Sequence, residues 1–164
     1  KKLWGNIKES KFEQKYNLTY IAYPIPHKGG YKFPHSYMIV SYLEVLKGMP
    51  LSSDRTEVPT DWLLLDKIFT DVDKKNNTDI QNAINTIYTK DEVIVIINNY
   101  LREFGYTEDQ IIQISELVNS ETIKEIVEKN KNVVEEQIKT VKIPTIIFDG
   151  RRYDRVVDVD TLKK

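Results

Sequence analysis

The segment from Val141 to Gly150, Val-Lys-Ile-Pro-Thr-Ile-Ile-Phe-Asp-Gly, constrains the fold of this chain more than any other. It places Pro144 at the head of an apolar, β-branched run. Proline has no N–H to donate to a sheet, so within strands it is confined to the first residue, an edge or a bulge. Asp149-Gly150 then predicts a tight hairpin turn, because both residues tolerate positive φ. The sequence therefore predicts a hairpin with strands over 145–148 and 153–157.

The segment that precedes this hairpin, residues 60–140, has helical periodicity almost throughout, with a polar break at 73–78. Thr89-x-x-Glu92 and Thr107-x-x-Gln110 both match the capping box that opens a helix, and Gly105 is placed to end the first of the two. Ser120 is predicted to open the last long helix. The apolar residues expected to pack together are Ile84, Ile87, Val93, Ile96, Ile97, Ile111 and Leu117.

The first third of the chain predicts a helix over 3–15, a strand over 18–23, a Pro- and Gly-rich loop and a helix capped by Ser36 and ended by Gly48. Residues 49–59 are predicted to be irregular. Near the end of the chain, Asp158 or Asp160 could cap a short helix. We expect strands 18–23 and 145–148 to share one mixed sheet, covered by helices on both faces.

Composition excludes several classes of partner. Lys and Arg total 24 against 25 for Asp and Glu, which leaves no general basic footprint for nucleic acid. No apolar run approaches the ~20 residues of a membrane span. The chain contains no cysteine, which excludes internal disulfides and thiolate metal sites. We therefore expect no nucleic acid partner and no membrane span, and the sequence does not determine an oligomeric state.

The remaining polar motifs are weak candidates for chemistry. His27 and His35 lie in or beside the Pro- and Gly-rich loop without metal-ligand spacing, so we expect no metal site there. Residues 71–77 begin like a calcium loop but carry Lys75 and Asn76 where an acid and a glycine belong. The basic pairs Arg151-Arg152 and Lys74-Lys75 are expected to be solvated turns. Tyrosines crowd the first third, where they could pack in a core or line a groove: Tyr16, Tyr20, Tyr23, Tyr31, Tyr37 and Tyr42.

Two stretches of the sequence together resemble a known family. The first runs from Lys2-Leu3 to Tyr20-Ile21-Ala22-Tyr23-Pro24, and the second is Ile143-Pro144-Thr145 followed by Asp149-Gly150. They are similar to the helix and strand that follow the active-site Cys-x-x-Cys, and to the cis-proline strand and turn, of Dsb-type periplasmic thiol-disulfide oxidoreductases and isomerases. The resemblance implies an α/β, thioredoxin-like fold, incomplete at its N-terminus, with a large helical insertion. Residues 1–59 and 141–164 would form the thioredoxin-like core, and 60–140 the inserted helical subdomain.

The resemblance also implies a division of roles. It puts the Cys-x-x-Cys immediately before Lys1, so no catalytic residue lies in this sequence. It implies a polypeptide substrate or a partner protein, and it makes Ile143, Pro144 and Thr145 the substrate-binding residues, with no cofactor and no metal. It further implies a periplasmic or otherwise exported protein, whose signal peptide is not part of this sequence. The local sequence alone leaves the conformation of the bond before Pro144 open, since only about 5% of X-Pro bonds in folded proteins are cis. The resemblance implies that this bond is cis.

Three functions follow as alternatives. The first is a thiol-disulfide oxidoreductase or isomerase domain acting on extended protein substrates. The second is a redox-silent thioredoxin-fold module that binds peptides or proteins, because no other side chain replaces a cysteine thiolate. The third is a mainly helical interaction protein with an incidental hairpin, which would have no sheet joining residues 18–23 to 143–148.

Overall fold

A computed structural model of the chain describes residues 1–14, 16–49, 58–140, 144–148 and 150–163. The described residues are mostly helical, with 61% of them in helices, and the remainder includes small antiparallel sheets. Contacts divide it into two compact units. A terminal unit joins Lys1–Ile21 with Asn132–Lys164, and a central unit comprises Ala22–Lys131.

The terminal unit is assembled from the two ends of the chain. Its elements, in order, are α1 Lys2–Ser10, a 3₁₀ turn Phe12–Gln14, a π-helical segment Val133–Ile138, β5 Ile146–Phe148, β6 Arg151–Tyr153 and α8 Val159–Lys163. Helix α1 packs against α8. Asn6 Nδ2 on α1 donates to the carbonyl of Val157, 2.7 Å away, which ties the N-terminal helix to the segment leading into α8.

A small aromatic and aliphatic core holds the terminal unit together. Phe12, Val157 and Leu162 are buried, and partly buried side chains pack around them: Ile7, Leu18, Ile146, Phe148 and Tyr153. The ring of Phe12 meets that of Phe148 edge-on, with centroids 5.3 Å apart, a favourable geometry for an aromatic pair. The N-terminal helix region and the strand after Pro144 thus share one core, although more than 130 residues separate them.

The central unit contains the longer helices and two short hairpins. Its elements, in order, are β1 Pro26–His27, β2 Gly30–Tyr31, α2 Ser36–Gly48, α3 Thr60–Thr70, β3 Val72–Asp73, β4 Thr78–Asp79, α4 Ile80–Thr86, α5 Lys90–Phe104, α6 Glu108–Val118 and most of α7 Glu121–Asn132. Helix α2 packs against α3 and α6, and α3 packs against α4 and α5.

The sequence signals of the central unit are largely confirmed. Both capping boxes form, at Thr89 and at Thr107, and each satisfies backbone N–H groups that a helix start otherwise leaves unpaired. Gly105 ends α5 at φ 104°, in the left-handed region that glycine adopts without strain. The side chain of Ser120 caps α7 by accepting from the N–H of Ile123 at 3.3 Å. Local sequence thus determines where these helices begin and end.

The predicted core of the helical segment is confirmed in most positions. Ile84, Val93, Ile97 and Ile111 are buried. The predictions for Ile87 and Leu117 are wrong, because 48% and 36% of their surfaces are exposed. Ile87 follows the last residue of α4 and Leu117 lies in the last turn of α6, where helix periodicity alone does not determine which face is covered.

The predicted strand over 18–23 is wrong, and so is the mixed sheet built on it. Residues 18–23 carry no strand, and the described residues contain three separate two-stranded antiparallel sheets. Strand β5 pairs with β6 alone within that part of the chain. Aromatic and β-branched composition favours a strand only where a partner strand is available, and the structure provides none for 18–23.

Several boundaries differ from the predictions in smaller ways. The return strand covers 151–153 rather than 153–157. Ser36 is the first residue of α2, and its hydroxyl donates to the carbonyl of Phe33. The predicted irregular stretch 49–59 lies mostly outside the described residues. The predicted division at 59/60 and 140/141 differs from the observed one, because the contacts of α2 with α3 and α6 place it in the central unit.

Candidate functional site

The hairpin after Pro144 is the part of the structure that carries the sequence-predicted site. Pro144 and Thr145 are half-buried at the entrance to β5, whereas Ile143 lies outside the described residues. The cis conformation of the bond that joins Ile143 to Pro144 therefore stays a prediction. Strands β5 and β6 pair in antiparallel register, with Ile146 opposite Tyr153 and Phe148 opposite Arg151. Gly150 lies in the turn at φ 66°, as the predicted turn requires, while Asp149 lies outside the described residues.

The two faces of β5 differ. Ile146 and Phe148 point toward the core of the terminal unit, and the ring of Phe148 stacks on that of Tyr153 with centroids 5.1 Å apart. Ile147, between them, is 59% exposed. The expectation that helices cover both faces of this strand is therefore wrong for the described residues. Ile147 is therefore an exposed apolar side chain within the strand, and a binding partner can contact it.

Within the described part of the chain, no strand pairs with the outer edge of β5. Backbone N–H and C=O groups on such an edge form a template to which an extended polypeptide can add as a new strand. Pro144 stands at the head of this edge, where a residue without an N–H interrupts the ladder least. The edge can therefore supply backbone hydrogen bonds, while Ile147 supplies an apolar contact.

A network of four polar side chains surrounds the entrance to β5, and we call it the polar clasp: Thr140, Thr145, Arg152 and Asp154. One carboxylate oxygen, Asp154 Oδ1, accepts hydrogen bonds from Thr145 Oγ1 at 2.9 Å and from Arg152 Nε at 2.8 Å. The hydroxyl oxygens of Thr140 and Thr145 lie 2.9 Å apart, and Thr140 Oγ1 lies 3.4 Å from the same carboxylate oxygen. Thr140 is buried.

The guanidinium of Arg152 extends the clasp to the helical segment before it. It donates to the backbone carbonyls of Ile138 and, at 3.3 Å, Lys139. Carbonyls at the C-terminal end of a helix lack partners within the helix, and an arginine fork can satisfy two of them at once. The interpretation of Arg152 as a solvated turn residue is therefore wrong.

The electrostatics of the clasp favour the charged form of its carboxylate. Hydrogen bonding and charge from Arg152, with smaller contributions from the hydroxyls of Thr145 and Thr140, hold the pKa of Asp154 below its usual value. Arg152 and Asp154 each keep 37% of their side-chain surface exposed, so solvent screens the attraction between them. The attraction between the two charges is therefore expected to be modest and sensitive to salt.

Sequence reasoning missed most of the clasp. Thr140 and Asp154 were not predicted as site residues, and Arg152 was dismissed. The available signal was weak: Arg152 and Asp154 are opposite charges two residues apart beside the predicted hairpin turn. Neither the predicted strand over 153–157 nor the observed β6 contains both residues, so strand periodicity does not pair them.

A second polar cluster lies in the central unit and closes the β3–β4 hairpin. The buried carboxylate of Asp73 accepts from Asn76 Nδ2 at 2.6 Å and from the Tyr88 hydroxyl at 2.8 Å, as well as from the backbone N–H groups of residues 75 and 76. The Asn76 amide, the Tyr88 hydroxyl and these N–H groups lower the pKa of Asp73, and the hydrogen bond to Asp73 raises that of Tyr88. The calcium-like stretch is thus a turn stabilised by its own side chains.

One of the two histidines contacts a backbone carbonyl, and the other is exposed. His35 Nε2 lies 3.0 Å from the carbonyl of Tyr88, and His27 is exposed in β1. Among the described residues, no cluster of three or more His, Asp or Glu side chains has a geometry that could hold a metal ion. A shallow depression beside α5 is lined by Tyr88, Asp91, Glu92, Val95 and Ile96, but Tyr88 and Glu92 already bond to Asp73 and to the helix start.

The comparisons with known proteins identify no relative of this chain. No protein-family model matches the chain, and the searches of curated proteins and of solved structures gave no match. Within the described residues, no helix is both long enough and apolar enough to cross a membrane. The case for a function therefore depends on the hairpin after Pro144 and on the sequence resemblance.

Proposed function

We propose that this chain is part of a thioredoxin-like, Dsb-type thiol-disulfide oxidoreductase or isomerase that acts on extended protein substrates. In this proposal the edge of β5 binds the substrate backbone beside Pro144 and Thr145. The observation that carries the proposal is the shared core of the N-terminal helix region and the Pro144 strand, where Phe12 meets Phe148. These are the two segments that the resemblance brings together around a redox site.

The redox part of the proposal depends on residues outside this sequence. Thiol–disulfide exchange begins when a thiolate attacks a disulfide sulfur, and this sequence contains no cysteine. The resemblance supplies the Cys-x-x-Cys immediately before Lys1 and an exported location. The residues of this sequence supply the proposed binding edge, on β5.

A second candidate function, a redox-silent module that binds extended polypeptides, is favoured by the complete absence of cysteine. It uses the same edge. The helical interaction protein is favoured by the separate sheets, since it requires no strand pairing between 18–23 and β5. It makes no use of the β5 edge, and this difference separates it from the other two.

Binding to the β5 edge can be tested directly with an unfolded polypeptide. The probe is fluorescently labelled α-lactalbumin, reduced and alkylated with iodoacetamide so that it is permanently unfolded and has no free thiol. We expect the probe to bind, and Ile147→Asp to weaken binding, because a charge replaces an exposed apolar contact on the strand. Ile112→Asp on α6 is a matched control, since Ile112 is 57% exposed and lies in the central unit. Equal effects of the two variants would exclude the β5 edge as the binding site.

The redox role requires the gene product from which this sequence comes. Its intact mass and N-terminal sequence show whether a Cys-x-x-Cys precedes Lys1. We expect the pair to be present and the product to catalyse dithiol-dependent reduction of insulin. A product that binds the unfolded probe but has no such pair is the redox-silent module instead.

A further inference from the structure

The polar clasp connects three separate pieces of backbone around the entrance to β5. Arg152 on β6 holds the carbonyls at the end of the helical segment, and Asp154 holds the hydroxyl of Thr145 at the head of β5. Thr140 joins the same carboxylate from the end of the helical segment. The clasp thus ties Thr140, which precedes Pro144 in the chain, and Thr145, which follows it, to the hairpin.

Strand β5 needs such a device more than most strands. It has three residues and, within the described chain, one neighbouring strand of equal length. An isolated two-stranded hairpin is marginally stable, so the backbone at its entrance is weakly determined by the ladder alone. A binding edge that is held in one conformation saves the free energy of ordering it on association.

We propose that Arg152 and Asp154 are positioning residues, which hold Pro144 and Thr145 in the conformation to which an extended polypeptide adds. This inference rests on the proposed function, and it assigns to two residues outside the predicted site a role in binding. They act through Thr145 and the backbone, without touching the substrate.

The association and dissociation rate constants of binding distinguish this positioning role from a purely stabilising role. In Asp154→Asn the carboxylate charge is lost at nearly constant shape, so the edge samples its binding conformation less often. If that conformation is populated a tenth of the time, association with the unfolded α-lactalbumin probe slows about tenfold. Dissociation stays unchanged, because the bound complex is the same. Stopped-flow anisotropy measures both rate constants under conditions where circular dichroism shows each variant to be folded.

Arg152→Gln provides an independent variant. We expect the same slower association, and the double variant to be no slower than either single variant, because both residues act through one network. Arg151→Gln is the matched control, since Arg151 is the adjacent exposed arginine and makes none of the clasp contacts. Its association rate should equal that of the unmodified chain.

The outcomes separate this inference from the proposed function. Slower association in Asp154→Asn and Arg152→Gln, with additivity lost in the double variant, supports the positioning role. Normal binding by the folded variants overturns the positioning role and leaves the proposed function intact. A chain that binds no probe even without substitution overturns the binding edge, and the positioning role with it. Hydrogen exchange at the amides of residues 146–148 then shows what structural role the clasp retains.

Discussion

The two units of this protein obtain their cores in different ways. The central unit uses one contiguous stretch of 110 residues and buries several side chains completely: Leu64, Ala83, Val93, Ile97, Leu101 and Ile114. The terminal unit combines the two ends of the chain around a small buried cluster of Phe12, Val157 and Leu162, and among its other described apolar residues Val134 is also buried. Bringing distant segments together requires loop-closure entropy before their contacts stabilise anything. The comparison teaches that the terminal unit depends more heavily on each of its few contacts.

The candidate binding edge belongs to the terminal unit. Binding regions are commonly drawn from the less stable parts of a structure, because they must open or adapt. The polar clasp compensates locally, by fixing the entrance to β5 without enlarging the core. Under the proposed function, binding falls to the terminal unit, whereas most of the fully buried apolar side chains lie in the central unit.

The largest expected effect is Phe12→Ala in the terminal unit. Removing a buried aromatic ring typically costs about 3–5 kcal/mol, and this ring contacts both Phe148 and the α8 region. The two tryptophans offer separate reporters, since Trp4 lies in the terminal unit and Trp62 in the central unit. In a Trp62→Phe background, urea unfolding followed by Trp4 fluorescence should shift to lower denaturant. An equal shift of Trp62 fluorescence in a Trp4→Phe background would remove the distinction between the units.

The corresponding change in the central unit is Ile97→Ala. Ile97 is fully buried on α5, so we expect a loss of about 2–5 kcal/mol in the free energy of unfolding measured by Trp62 fluorescence. Val95→Ala is the control on the same helix, because Val95 is 57% exposed and its truncation should change stability by no more than about 0.5 kcal/mol. A loss for Ile97→Ala that is no larger than for Val95→Ala would contradict the described core.

The same comparison explains how much the sequence could predict. Helix starts at Thr89 and Thr107 and the end at Gly105 were predictable, because a cap needs only residues three or four positions apart. The hairpin turn at Gly150 was predictable for the same reason. The absence of a strand at 18–23 was not, because pairing depends on a distant partner. The contacts of Phe12 and of the polar clasp also join segments that no local pattern connects.

A smaller effect tests whether local signals stabilise the central unit. In Thr89→Ala the side chain no longer accepts from the N–H of Glu92, and loss of such a cap costs about 1 kcal/mol. Thr107→Ala should cost a similar amount, since it opens α6 with the same motif. Thr86→Ala is the control, because its exposed hydroxyl bonds only back to its own helix, at Asn82. Urea unfolding that gives all three variants the same stability would show that the caps contribute nothing specific.

The smallest expected effect is a pH and salt dependence that differs between Asp154 in the terminal unit and Asp73 in the central unit. The pKa of each carboxyl is lowered in the folded protein. A lowered pKa means that the stabilisation is fully present above the unfolded value, near pH 3.9, and is lost as pH falls through the folded value. Acid titration of each unit, followed by its own tryptophan, should therefore be flatter below about pH 4 in Asp154→Asn and in Asp73→Asn than in the unmodified chain.

Salt separates the two carboxylates because their partners differ. Asp154 is held chiefly by the charged Arg152 at a partly exposed position, whereas Asp73 is buried and held by the amide of Asn76, the hydroxyl of Tyr88 and backbone N–H groups. In about 1 M salt the screening length falls to roughly 3 Å, which weakens an exposed ion pair but has much less effect on short hydrogen bonds from uncharged donors to a buried carboxylate. The acid sensitivity that Asp154 confers should then decrease, and that of Asp73 should persist. Equal salt dependence in the two units would show that Arg152 holds Asp154 by hydrogen-bond geometry alone.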